Sequence, residues 1–153
     1  MFRVFVDADG CPVKEEVCRV ARRYEIDVLL VANAPMRVPE GGGAELVLVG
    51  AGFDEADDWI VAQVQTHDVV VTGDIPLAAR CLARGARVVG PKGRIFTEES
   101  IGGALANREF LSQLREHGTM TGGPAPFAKK DRSRFLQSLD TVVQASRRAS
   151  NAT

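Results

Sequence analysis

Short apolar runs alternate with amphipathic or loop-like segments along the first 90 residues, and this alternation constrains the fold more than any other feature. Each run is four to six residues long, which is typical of strands buried on both faces. The five runs lie at residues 2–6, 27–32, 45–49, 68–71 and 86–89. Strands that alternate with helices of about ten residues form right-handed βαβ units around an open parallel sheet. We therefore expect an α/β fold, three-layered α/β/α, with a central, mostly parallel sheet of about five strands.

The segments between and after these runs predict the helices and loops. The first helix follows the first strand directly, with Pro12 in its first turn. The other helices are predicted over 55–65, over 76–83, from 97 or 100 to 116, and over 131–148. Glycine and proline mark loops at 33–43, 90–94 and 118–126. Residues 1–148 are thus predicted to form one domain, followed by a disordered tail at 149–153.

The composition excludes several classes of protein. A chain of 153 residues with 45% apolar and 25% charged residues is typical of one soluble globular domain. No apolar run reaches the roughly 18–20 residues of a membrane helix, and the first residues lack a signal-peptide pattern. A cytoplasmic protein is therefore expected. The three cysteines form no CxxC pair and are predicted to be free thiols, and the two distant histidines argue against a zinc site.

Acidic residues follow the predicted strands at the places where an open parallel sheet binds its ligands. Two follow the first strand, one follows the fourth strand beside Thr72, and three begin the helix after the third strand. They are Asp7, Asp9, Asp74, Asp54, Asp57 and Asp58. Carboxylates crowded together repel one another unless protons or a cation compensate. Oxygen ligands without nearby sulfur or imidazole favour a hard cation, so the sequence predicts a Mg²⁺ or Mn²⁺ site.

Helix capping is the competing interpretation for part of this set. Asp54 and Asp74 each precede a helix, where a carboxylate can accept hydrogen bonds from free backbone N–H groups. Asp9 could do the same before Pro12. Asp7 has no such role, because it ends a buried strand and needs a partner there. The set as a whole therefore favours the cation site.

Metal-assisted hydrolysis of a phosphodiester is the reaction class that fits these residues. The chain has no visible Ser–His or Cys–His relay and no glycine-rich nucleotide-binding motif. Nucleic acid is the expected partner, bound mainly through its backbone because aromatic residues are few. Self-association into a homo-oligomer is left open. The predicted phosphate contacts are Lys14, Lys92, Arg94, Arg108, Lys130 and Arg132.

Charge is distributed unevenly along the chain. Residues 1–90 contain fourteen acidic and nine basic residues, whereas residues 91–153 contain six acidic and ten basic residues. A basic half that faces an acidic half can hold a polyanion against a metal site. A solvated pair of C-terminal helices would have the same composition, so the asymmetry alone decides nothing.

Several motifs together resemble the YaiI/YqxD family of bacterial proteins, over roughly residues 2–143. They are VDADGCPV at 6–13, GFDEADDWI at 52–60, VVTGDIPLA at 70–78, GPKGR at 90–94, TGGP at 121–124 and DRSRF at 131–135. That family is similar in fold to PIN-domain nucleases. The resemblance therefore implies a PIN-like domain and a Mg²⁺- or Mn²⁺-dependent nuclease, with RNA as its substrate.

The PIN-like pattern can be carried onto this sequence position by position. It implies catalytic roles for Asp7, Asp9, Asp57 and Asp74, a metal-ligand role for the same four and Asp54, and a supporting role for Thr72. Asp58 matches less well and is expected to face solvent. PIN domains often add an acid after a later strand, but residues 90–94 contain no carboxylate. A non-catalytic RNA-binding or protein-interaction module with a degenerate site is therefore the alternative.

Two other acid-dependent folds agree less well with the order of the residues. A haloacid dehalogenase-type phosphohydrolase would place its second acidic pair after Lys92, but Asp57 and Asp58 precede Thr72. A response-regulator receiver would place its acceptor directly at the end of the third strand, and Asp74 would have no role. Neither accounts for all the acids.

Overall fold

A computed structural model of the chain describes residues 1–41, 43–52, 54–118 and 126–152. It contains a single sheet of six strands. They are β1 (Val4–Asp7), β2 (Val28–Ala32), β3 (Ala44–Leu48), β4 (Val69–Val71), β5 (Arg87–Val89) and β6 (Ile95–Phe96). The α/β class and the mostly parallel sheet predicted from the sequence are confirmed, with six strands instead of about five.

Five helices complete the described fold. They are α1 (Lys14–Tyr24), α2 (Glu55–Gln63), α3 (Ile75–Ala83), α4 (Glu98–Glu116) and α5 (Lys129–Asn151). Pro12 was predicted to lie in the first turn of α1. It lies in a turn just before the helix instead. α5 continues three residues past its predicted end at Arg148, into the segment predicted to be a disordered tail. Most of the loop predicted at 118–126, with the TGGP motif, lies outside the described residues.

The strand order of the sheet creates a crevice between β1 and β4. The order is β3-β2-β1-β4-β5-β6, and β6 alone among the described strands runs antiparallel. From β1 the chain first builds the sheet in one direction through β2 and β3, and then returns to the other side of β1 with β4. Ligands of open α/β sheets bind at the carboxyl ends of the strands where the order reverses in this way. Val6 pairs with Val71, so Asp7 and Thr72 follow side by side at that point.

Two hydrophobic cores lie on opposite faces of the sheet. Val4 and Val6 of β1 pack on one face with α1 and α5, through residues such as Val17 and Phe135. Phe5 of the same strand points to the other face, where α2 and α3 pack. The alternation within β1 follows from the two-residue period of a strand, and its continuous apolar run follows from helices on both faces. The resulting three layers are those predicted.

Strand β6 was not predicted, because two residues carry too little apolar pattern. It forms a hairpin with β5 around a turn at 90–94, in which the Gly90 N–H donates to the Arg94 carbonyl at 2.7 Å. Gly93 has a positive φ of 94°, and a Cβ there would lie 2.8 Å from the Arg134 backbone of α5. The Ser138 hydroxyl of α5 also donates to the Gly93 carbonyl at 2.6 Å. The turn is therefore held firmly against α5.

None of the described helices has both the length and the apolar character that crossing a bilayer requires.

Candidate metal centre and adjoining basic cleft

Asp7 and Thr72 are joined directly across the crevice between β1 and β4. The Thr72 hydroxyl donates a hydrogen bond of 2.9 Å to Asp7 Oδ2. Thr72 is 2% exposed, so the bond to Asp7 lies almost entirely beneath the protein surface. The carboxylate at the end of β1 therefore has the partner that its position requires.

Asp74 is tied to the same threonine and also caps a helix. Its backbone N–H donates to Thr72 Oγ1 at 3.0 Å, and its Oδ1 accepts from the Leu77 N–H at 3.0 Å. The capping interpretation is thus correct for this residue. A capping carboxylate uses one oxygen locally, and its second oxygen can still serve a ligand.

Asp9 and Asp54 do not cap the helices that follow them. Asp9 Oδ2 accepts from the backbone N–H of Asn33, at the end of β2, at 2.8 Å. Asp54 occupies the residue before α2 with a positive φ of 64°, and its side chain makes no capping bond. The Asn33 amide in turn donates to the Gly50 carbonyl at 2.7 Å. Sequence reasoning missed Asn33, although the rule that selected Asp7 and Asp74 also applies to the end of β2.

Three of the predicted acids line one small pocket at the crevice. This acidic pocket has a volume of about 250 Å³. Its polar lining is Asp7, Asp9, Thr72 and Asp74, and Cys11 and Pro91 close its sides. The structure therefore brings together predicted acids that are up to 67 positions apart in the sequence.

The two aspartates of α2, Asp57 and Asp58, have different surroundings. Asp57 is half-buried, and the negative charges of Asp74 and Asp7 act on it. Asp58 is exposed and pairs with Arg80 of α3 at 2.9 Å. Asp54 acts electrostatically on Asp57 but is itself exposed. The helix orientation agrees with the expectation that Asp58 faces solvent.

Burial and mutual repulsion raise the pKa of two of these carboxyls. For Asp7, burial raises the pKa, Thr72 opposes the rise through its hydrogen bond, and Asp74 and Asp9 add to it. For Asp57, burial together with the charges of Asp74, Asp7 and Asp54 raises the pKa to about 6, although Arg80 opposes this. Carboxyls that repel one another in this way gain from a nearby cation.

We expect Asp57→Asn to raise the melting temperature at pH 7 by roughly 2–4 °C. This shift corresponds to about 1 kcal/mol in the free energy of unfolding, a figure that allows for the partial exposure of Asp57. The unfolded-state pKa of aspartate is near 3.9. Between that value and about 6, the folded protein binds more protons at Asp57 than the unfolded chain. The contribution of this group to stability is therefore lost as the pH rises from about 4 to about 6.

Differential scanning calorimetry at pH 5 and pH 7, without divalent ions, measures this effect. Wild type should gain more stability than Asp57→Asn on moving from pH 7 to pH 5. Asp58→Asn is the matched control and should keep the wild-type pH slope, because its carboxylate is exposed and ion-paired. Equal slopes for wild type and Asp57→Asn would contradict the assignment.

The donor set can be compared with the needs of a divalent cation. Within the described residues, no group of three or more acidic, histidine or cysteine side chains is arranged to hold a metal ion. A protein cage with three or more ligands is thus not preassembled. Mg²⁺ commonly keeps several waters and binds through one or two carboxylates. Asp7 and Asp74, both bonded to Thr72 and both in the acidic pocket, fit this second mode.

A larger, positively charged cleft adjoins the acidic pocket. This basic cleft, of about 540 Å³, lies between the 90–94 turn and α4 and shares Gly73 and Pro91 with the acidic pocket. Its cationic lining residues are Lys92, Arg94, Arg108 and Arg115. The first three were predicted as phosphate contacts. Arg115 was missed, although it lies seven residues after Arg108 and so on the same helix face.

The other three predicted phosphate contacts lie elsewhere. Lys14 lines a different pocket, and its ammonium donates to the Cys11 carbonyl at 2.9 Å. Lys130 is exposed at the start of α5 and lines neither the acidic pocket nor the basic cleft. Arg132 forms a hydrogen-bonded ion pair with the buried Glu16 of α1 and lies 5.2 Å from the centre of the Phe127 ring. Arg132 therefore joins α5 to α1 instead of contributing to the site.

Arg132→Ala should destabilise the fold by about 2 kcal/mol, which lowers the melting temperature by roughly 4–8 °C. The reason is that Glu16, 3% exposed, would lose the partner of its buried charge. Thermal denaturation of Arg132→Ala, with Lys130→Ala as the exposed control, measures the loss. Adding Glu16→Gln to Arg132→Ala should restore part of the stability. A further loss in that double variant would refute the buried-charge explanation.

Comparison with known proteins identifies the family. A family model described as "Uncharacterized BCR, YaiI/YqxD family" matches residues 5–145. The chain belongs to the YaiI/YqxD family. A UPF0178 protein of Rhodospirillum centenum is 57% identical over 152 residues, covering 97% of this chain and 99% of its own. UPF0178 proteins of Rhodopseudomonas palustris and Paramagnetospirillum magneticum are 50% and 49% identical, covering 96% and 97% of this chain and 94% and 98% of their own.

The YaiI/YqxD match includes both features of the site. It begins in β1 and ends in α5, so it spans the acidic pocket and the basic cleft. The family predicted from the sequence motifs is confirmed, whereas the likeness to PIN domains stays a prediction. No solved structure matches the chain.

Proposed function

We propose that the protein is a divalent-cation-dependent phosphodiesterase that acts on nucleic acid, with RNA as the expected substrate. The observation that carries the proposal is the pair of carboxylates of Asp7 and Asp74 at the switch point of the sheet. The buried Thr72 hydroxyl donates to the Asp7 carboxylate and accepts from the Asp74 backbone N–H, and the Leu77 N–H donates to the Asp74 carboxylate. Carboxylates held together there repel, and a cation with phosphate oxygens would relieve the repulsion. The adjoining basic cleft supplies charges of the opposite sign for a polyanion.

Asp7 and Asp74 would hold Mg²⁺ or Mn²⁺, and such an ion would supply Lewis-acid stabilisation of the phosphate and a more acidic bound water. Thr72 orients Asp7 by donating to one carboxylate oxygen and leaves the other oxygen available. Asp9 adds negative charge at the mouth of the pocket while the Asn33 N–H holds one of its oxygens. These residues bind and orient.

Asp57 is suited to the proton transfer that hydrolysis needs. A water oxygen forms a bond to phosphorus, the bond from phosphorus to the leaving oxygen breaks, and one proton must move from the water to that oxygen. A group with a pKa of about 6 exchanges protons readily near neutral pH. Asp57 has such a value: it does not line the acidic pocket, but the charges of Asp74 and Asp7 act on it, and Arg80 opposes the rise.

A second function has one observation in its favour. Because no set of three protein ligands is preassembled among the described residues, the pocket also agrees with a module that binds RNA or a protein without cleaving it. The two functions differ in whether a cation changes the covalent state of the nucleic acid. Binding by itself does not distinguish them.

The test uses purified protein with single-stranded and structured RNA. We expect cleavage with Mn²⁺ or Mg²⁺ that stops with a chelator. The same ions should raise the melting temperature, since a ligand that binds only the folded state stabilises it by about 2.7 kcal/mol at 100 times its Kd. RNA that is bound but is cleaved with neither Mn²⁺ nor Mg²⁺ would favour the non-catalytic binding module. Cleavage that persists with chelator would contradict the proposal.

A further inference from the structure

The basic cleft combines a charged rim with an apolar wall. The cationic side chains Lys92, Arg94, Arg108 and Arg115 surround it, and no acidic residue is present among its described lining residues. Between the charges lie Ile75, Phe96, Ala104 and Leu111. Single-stranded nucleic acid binds to surfaces of this type, with phosphates on cations and a base against an apolar or stacked surface.

The wall on the α4 side is one face of a helix. Ala104, Arg108, Leu111 and Arg115 recur at intervals of three or four residues, so they project from the same side of α4. Arg108 and Arg115 are both exposed, and they are separated along the helix by two turns. They offer two phosphate contacts in a row with the apolar Leu111 between them.

The opposite wall is the 90–94 turn, which α5 holds in place. Gly93 contacts the Arg134 backbone, and Ser138 donates to the Gly93 carbonyl. Arg94 leaves this turn with its guanidinium carbon 5.0 Å from the centre of the Phe96 ring. A guanidinium that lies over an aromatic ring can stack with a base on its other side. The cleft is thus formed before any ligand binds.

The cleft and the acidic pocket adjoin each other. Gly73 and Pro91 line both, and Gly73 directly precedes Asp74. The glycine carries no side chain to separate the two spaces. A strand that lay in the cleft and passed Gly73 would bring its next phosphate towards the carboxylates. A volume of about 540 Å³ is within the roughly 300–1,000 Å³ of small-molecule sites, which is enough for a nucleotide unit.

We propose that the basic cleft between α4 and the 90–94 turn binds one unpaired nucleotide and its flanking phosphates, and so makes the protein select single-stranded nucleic acid. This inference rests on the proposed function for the role of the neighbouring phosphate. The binding itself needs no cation. Apolar contact with Leu111 and stacking on Arg94 require a base that is free of its pairing partner.

The experiment measures binding apart from cleavage. Labelled twelve-nucleotide strands, oligo(U) and oligo(dT), are titrated with the full chain in the presence of chelator, and fluorescence anisotropy is recorded at several salt concentrations. Arg108→Gln/Arg115→Gln should weaken both strands at least about tenfold. It should also reduce the slope of log K against log salt by about 1.4, since each lost contact to a single strand contributes about 0.7.

Arg19→Gln/Arg148→Gln is the matched control, because it removes the same charge from two exposed positions outside the cleft. It should leave the affinity within about twofold. Leu111→Ser should weaken the single strand without changing the salt slope. An unlabelled duplex of the same length should compete at least about tenfold less well than the single strand. Circular dichroism verifies that each variant is folded.

Several results would overturn the inference: no binding by wild type, equal loss in both double variants, or a duplex that competes as well as the single strand. The outcome for the proposed function is read separately. If Arg108→Gln/Arg115→Gln loses binding while wild type shows no cation-dependent cleavage, the cleft assignment stands and the hydrolase proposal fails. If cation-dependent cleavage is present but does not depend on Arg108 and Arg115, the hydrolase proposal stands and the cleft assignment fails.

Discussion

Asp7→Asn/Asp74→Asn is expected to lose cation-dependent cleavage of RNA by roughly 100-fold or more. Both substitutions remove a negative charge from the acidic pocket and keep an oxygen that can accept the local hydrogen bonds. The Thr72 hydroxyl can still donate to residue 7, and the Leu77 N–H can still donate to residue 74. The expected loss is therefore of charge and not of structure.

Initial rates of cleavage with Mn²⁺ measure this prediction, together with the shift in melting temperature that Mn²⁺ causes. The variant should show neither activity nor shift, while its melting temperature without metal stays equal to or above that of wild type, because the repulsion at the pocket is reduced. Asp58→Asn is the control and should keep activity within about twofold, since Asp58 is exposed and paired with Arg80. Cleavage by the double variant at the wild-type rate would place the activity elsewhere.

Asp68→Ala should lower the free energy of unfolding by about 3 kcal/mol, a fall in melting temperature of roughly 6–12 °C. Asp68 is 2% exposed and lies just before β4, at the opposite end of that strand from Thr72. Its Oδ1 accepts from the Arg3 N–H and its Oδ2 from the Gln65 N–H, both at 2.8 Å. The Arg3 guanidinium is 3.5 Å from the same carboxylate. Alanine would leave two backbone donors without their acceptor.

Urea denaturation monitored by circular dichroism measures the change. Asp27→Ala serves as the control, because Asp27 is an exposed acid just before β2 and should change stability by less than about 0.5 kcal/mol. Asp68→Asn should fall between wild type and Asp68→Ala, since an amide keeps one accepting oxygen. A stability of Asp68→Ala equal to that of the Asp27 control would show that water replaces the carboxylate at no cost.

Most of the sheet was predictable because its central strands, such as β1, β2 and β4, are largely buried on both faces. Runs such as 68–71 contain a single polar residue, and this composition is typical of strands in a buried parallel sheet. The same topology made the meeting of Asp7, Thr72 and Asp74 predictable, since adjacent parallel strands end at the same edge. For these residues a local pattern determined a distant contact.

The remaining features depend on contacts without a local pattern. Glu16 and Arg132 pair across 116 residues, and nothing near either of them in the sequence indicates the other. Asp68 looked like the first residue of a strand, because its role depends on loops at the far end of the sheet. Strand β6 depends on a turn at which only a glycine, Gly93, fits against the backbone of α5. Burial of a charge and fit between backbones are properties of the packed chain.

The contact between Gly93 and α5 gives the last helix a role at a distance from its own surface. α5 supplies no lining residue to the basic cleft among those described, yet Ser138 and the Arg134 backbone set the position of the turn that carries Lys92 and Arg94. Shortening the chain before residue 134 would therefore remove the support of one wall while leaving every residue of both pockets in the sequence. A fragment without this helix would retain the chemistry of the site but lose its shape.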